Sequence, residues 1–148
     1  MHNPKIKFWS RWLVCASAVF AVLSLTWIFF GSFDPFGIYD SRLAGALFGR
    51  ETLSASEQSV FGFGAGLLGA TGFAFFVLCA FLAGIPFLNG EKWAHTALTA
   101  GIVSWFVLDS VFSVYMNAYF NVFIVNVPCL LAYAVPLAMT APYFYRNR

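Results

Sequence analysis

Charge is what this sequence has least of. Its 148 residues hold eight Lys and Arg and six Asp and Glu, 9% in all, where soluble domains carry about a quarter. A soluble globular class is therefore excluded. The net charge of +2 is too small to draw the chain to nucleic acid, so that partner is excluded as well. Histidine is limited to two residues and cysteine to Cys15, Cys79 and Cys129. No Cys-x-x-Cys stands ready for thiol exchange, which argues against a membrane thiol oxidoreductase. No histidine pair is present for a haem, no carboxylate cluster for a di-iron site and no Ser-His-Asp set for acyl transfer. The sequence thus implies no cofactor and no metal, and its thiols read as small apolar packing groups.

Hydrocarbon takes the place of charge, with 61% hydrophobic and 20% aromatic residues. A spanning helix needs about 20 mostly apolar residues. Four runs of that kind can be drawn, at about 12–31, 59–82, 94–116 and 120–139. The expected fold is an all-α, integral membrane four-helix transmembrane bundle, a single domain over 1–148. Its helices should run up-down-up-down, with a long outer loop, 32–58, after the first. Lys5, Lys7 and Arg11 precede the first run as they would in a secretory signal. The run exceeds the apolar core of about 7–15 residues that a signal has, however, and it ends in Phe29-Phe30-Gly31-Ser32-Phe33, so it reads as an uncleaved span.

Basic residues gather on the cytoplasmic side of short loops. With four spans, Lys5, Lys7, Arg11, Lys92, Arg146 and Arg148 share one side, and Arg42 and Arg50 the other. Both termini are expected in the cytoplasm, in a multi-pass protein of a bacterial inner membrane. Trp9, Trp12 and Trp27 stand near the ends of the first span, where amphipathic rings favour the headgroup zone.

In the loop, Tyr39, Leu43 and Leu47 recur every four residues. That spacing fits either a short helix on the outer surface or a loop with incidental apolar residues. Ser54-x-x-Glu57 has the spacing of a capping box ahead of the second span. Within that span Gly62, Ala65, Gly66 and Gly69 form a small-residue stripe, which lets two helix backbones approach closely in lipid. The stripe predicts the closest packing of the bundle, against the third helix or another copy of the chain. The short turn Asn89-Gly90-Glu91-Lys92 makes the second and third helices antiparallel neighbours.

Asp109 is the one acidic residue that cannot be placed in water. An Asp near the centre of a span costs about 2.5 to 3.5 kcal/mol on insertion scales and usually faces the bundle interior. No Lys or Arg lies within a span to pair with it. It is either a neutral acid hydrogen-bonded to polar neighbours, a group meeting water from the outer side, or the partner of a cationic ligand or another chain. Its expected surroundings are Trp105, Ser113, Asn117 and Asn126, because Ser113 and Asn117 follow at one and two turns and Asn126 opens the next span. Trp105 would offer an indole N–H and a ring face to a cation. His95 lies fourteen positions earlier, about 21 Å along the axis. It is expected near water and cannot form a dyad with Asp109. Pro128 and Pro136 should kink the fourth span, their freed carbonyls being satisfied by neighbours or water.

The glycine-rich second span and the Trp105-x-x-x-Asp109-Ser110 stretch are similar to those of small bacterial four-helix membrane proteins, and the resemblance implies no residue roles. Two functions from different classes fit. One is a non-enzymatic binding or accessory protein in the lipid bilayer for a lipid-like or amphipathic small molecule, or for a partner membrane chain, which a homo-oligomer would supply from a second copy. The other is an oligomeric proton-coupled exporter of cationic compounds that uses Asp109.

Overall fold

The computed structural model describes residues 3–30 and 37–145. The first residues of the expected outer loop, 32–36, and the basic residues Arg146 and Arg148 lie outside them. Among the described residues the chain is all-helical, with no strand. Four helices are long and apolar enough to cross a membrane: α1 (Pro4–Phe30), α3 (Ala55–Phe87), α4 (Lys92–Tyr115) and α5 (Tyr119–Tyr145). The short helix α2 (Ile38–Phe48) lies between α1 and α3. Its sequence signal was the four-residue recurrence, and its inward residues are Leu43 and Ala44.

Local chemistry sets the ends. Gly37 and Gly49 bound α2 at φ 65° and 66°, a left-handed conformation that costs a residue without Cβ nothing. Ser54 caps α3 as its spacing predicts: its Oγ accepts from the Glu57 amide, and the Glu57 carboxylate accepts from the Ser54 amide at 2.8 Å. Arg50 reaches the same carboxylate in an ion pair. At the other end of α3 a π-helical turn, Ala83–Phe87, encloses Pro86.

Side-chain pairs show how the helices meet. Ser10 donates to the Ala83 carbonyl at 2.8 Å, Phe20 stacks on Phe76 at 5.2 Å, and Trp27 lies 6.5 Å from Phe61, so numbers fall along α3 as they rise along α1. The main core is built from Leu13, Phe87, Leu98, Ile102, Tyr133 and Leu137 among others. Buried Ser17 and Tyr133 close it with a 2.6 Å hydrogen bond. α3 packs chiefly on α1, whereas α4 packs chiefly on α5.

This corrects the expected use of the glycine stripe. Its partner is α1, and the close approach is at Gly69 and Gly72: a Cβ on Gly69 would stand 2.6 Å from the Ser24 carbonyl oxygen, and one on Gly72 would stand 2.9 Å from Ser24 Oγ. Ala65 is buried on the same side. At Gly62 and Gly66 a Cβ would meet no atom within 4 Å. Four-residue spacing selects a face of one helix but not the length over which a straight neighbour stays in contact with it.

Two polar expectations meet different fates. Pro136 has no N–H for the Ala132 carbonyl one turn back, and the Trp12 indole donates to that oxygen at 3.0 Å. His95, expected near water, is only 4% exposed. Its Nε2 stands 2.9 Å from the Leu137 carbonyl, which can only accept, so Nε2 donates there, and Nδ1 lies 3.3 Å from Tyr145 OH. His95 thus joins α4 to α5.

Candidate functional site

Asp109 is the centre of a hydrogen-bonded network at the end of the bundle that carries α2. Its Oδ1 accepts three bonds: from Ser113 Oγ at 3.2 Å, from Asn121 Nδ2 at 3.0 Å and from Asn126 Nδ2 at 2.8 Å. Asn121 Nδ2 also reaches Ser113 Oγ at 2.9 Å, and Asn126 Nδ2 reaches Ser110 Oγ at 3.1 Å. Tyr39 on α2 donates its hydroxyl to Asn121 Oδ1 at 3.2 Å. Five side chains from three helices are thereby tied to a single carboxylate.

The geometry rests on a distortion of α5. Residues five apart on an α-helix point about 140° apart at 3.6 residues per turn, so an ideal helix could not aim both Asn121 and Asn126 at Asp109. The stretch Val122–Asn126 is a π-helical turn, in which the Val127 N–H bonds to the Val122 carbonyl. Closing the ring over five residues brings Asn121 and Asn126 onto one face. Pro128 supplies the local reason, since it withholds the N–H that would hold Ile124 in an α-helical ladder. Such turns occur often at functional sites.

Of the residues expected around Asp109, Ser113 and Asn126 are in the network. Asn117 is not. It ends α4 in the left-handed region at φ 57°, with its N–H on the Val114 carbonyl and the Ala118 N–H on the Ser113 carbonyl. That pattern is a Schellman termination, which points the Asn117 side chain outward. Trp105 packs against the main core. The aromatic groups at the network come instead from other elements: Tyr39 meets Phe120 at 5.1 Å and Trp27 at 5.6 Å, both edge to face, and Phe61 lies behind them at 6.4 Å. Sequence reasoning missed Asn121 and Tyr39. The signal for Asn121 was its five-residue spacing from Asn126 with Pro128 just beyond; nothing local marked Tyr39.

Burial, then the charges of Asp109 and Asp40, push the Tyr39 hydroxyl from 10.0 up to about 12. It therefore remains a donor throughout the physiological range. Asn126 is fully buried at 0% exposure, and among the described residues its Oδ1 has no donor. Its amide orientation is set by the two acceptors on the nitrogen side, so this oxygen points away from Asp109 with its bonding capacity unused. A buried acceptor without a partner costs about 1 to 3 kcal/mol. Among the described residues no three His, Cys, Asp or Glu side chains gather as metal ligands.

No family model matches the chain, and neither the curated proteins nor the solved structures yield a match.

Proposed function

We propose that this is a non-enzymatic binding protein of the membrane, and that it holds a small amphipathic molecule whose head donates hydrogen bonds to the Asp109 network. The buried Asn126 Oδ1, on the side of its amide away from the carboxylate, carries this reading, because an acceptor kept without a donor among the described residues is a place for a donor brought by a ligand. Tyr39 and Phe120 add ring faces that attract an ammonium group. A cationic head is thus favoured over a neutral one, and a carboxylate head is disfavoured. The proposed topology is up-down-up-down in a bacterial inner membrane, with both termini cytoplasmic and α2 outside; six basic residues against two support it, and Ser41 should then be open to labelling from outside.

The test uses purified protein in detergent and three probes of one chain length: a primary amine, an alcohol and a carboxylic acid. The amine should bind most tightly. Asp109→Asn should remove its advantage over the alcohol, and Asn126→Leu should weaken both, while each variant keeps its helical content. Equal binding of amine and acid, or an unchanged preference in Asp109→Asn, would overturn the reading. Accumulation of the amine in proteoliposomes driven by a pH gradient would replace it with transport.

A further inference from the structure

Beside the Phe61 ring, α2 and the start of α3 line an open groove of about 350 Å³. Leu43, Leu47, Phe48, Leu53, Val60 and Phe61 line it, with Ser56 and Glu57 at its edge. Its size is at the lower end of the range for small-molecule sites, about 300 to 1,000 Å³, too small for a helix of another protein. Three of its apolar walls stay open: Leu47 is 39% exposed, Phe48 48% and Val60 74%.

Its depth in a bilayer follows from the length of α3. The helix has 33 residues, about 50 Å at 1.5 Å per residue, whereas the hydrocarbon layer is about 30 Å thick. The polar start of α3, Ser56 to Ser59, therefore belongs in the headgroup zone, and the groove runs from there towards the hydrocarbon. Charge at the groove comes from one pair: Glu57 is the only charged residue among those lining it, and Asp40, Arg42 and Glu51 are not among them. Arg50 and Glu57 form an ion pair beside the groove, which sets a cation and an anion next to each other.

We propose that the groove holds one acyl chain of a zwitterionic phospholipid, with the lipid phosphate towards Arg50 and its ammonium towards Glu57. The apolar walls match the chain. The balanced charges match a headgroup with no net charge and give no advantage to an anionic one. Phe61 lines the groove and also lies behind the rings at the Asp109 network, but no residue hydrogen-bonded in that network lines the groove, and the two readings are tested separately.

The test is retention of lipid. Protein reconstituted in bilayers of equal parts phosphatidylcholine and phosphatidylglycerol is extracted into mild detergent, and the phospholipid left on each chain is identified by native mass spectrometry. One phosphatidylcholine per chain is expected. Val60→Trp, at the exposed wall, and Leu47→Trp should each fill the groove and remove most of it with helical content unchanged. Arg50→Glu, which leaves the edge acidic, should also lose the lipid. Retention of phosphatidylglycerol in preference, or undiminished retention by a folded Val60→Trp variant, would overturn the proposal. Asp109→Asn should retain the lipid as the native chain does, whatever its effect on amine binding.

Discussion

Trp12 shows how a single side chain repairs a defect made by another. Proline in a span frees a carbonyl that lipid cannot satisfy, and the indole of Trp12 supplies the bond to Ala132 across the gap between α1 and α5. Trp12→Phe keeps the ring and removes the donor. It should lower stability by about 1 to 2 kcal/mol. In a Pro136→Ala background the Ala132 carbonyl regains its own partner, and the same change should cost much less. Thermal unfolding in detergent measures both arms of this cycle, and equal costs in the two backgrounds would show that the indole bond contributes nothing.

At the scale of an element, the π turn in α5 decides which residues meet Asp109. Its function in the network is angular. Deleting Ile124 would leave the two asparagines four apart, about 40° around an α-helix, so both could still reach the carboxylate. Inserting an alanine after Ile124 would put them six apart, about 120° from each other around the helix, and one amide would lose Asp109. The deletion is therefore expected to keep most of the stability, and the insertion to lower it by about 1 to 3 kcal/mol for the donor and acceptor left unpaired in the interior. Detergent melting curves of the two variants give the comparison, and a deletion more damaging than the insertion would refute the angular account.

For the molecule as a whole, α2 ties a surface segment to the bundle through Tyr39, the Leu43–Ala44–Leu53 cluster and the Arg50–Glu57 pair. The Tyr39 contribution depends on pH. An unfolded tyrosine releases its proton near 10.0, whereas the buried one keeps it to about 12. Between these values the unfolded state binds fewer protons than the folded state, so stability is full below 10.0 and falls as pH rises towards 12. Tyr39→Phe removes the titrating group. The melting temperature of the native chain should fall more between about pH 8 and pH 11 than that of the variant, and an equal fall would show that Tyr39 is not held in this way.

The sequence by itself determined the helical class, the four membrane-length helices, the α3 cap and the isolation of Asp109 from any basic partner. These follow from composition, periodicity and short-range hydrogen bonding, which act within a few residues. Tertiary structure alone decided that α1 is the partner of Gly69, that His95 is buried on Leu137, and that Asn121 and Tyr39 replace Asn117 and Trp105 around Asp109. Each of these depends on how one helix is rotated and placed against another. In lipid that choice rests on close packing and on finding partners for a few polar atoms, and a one-residue change of helical register at Val122–Asn126 is enough to exchange the residues that meet.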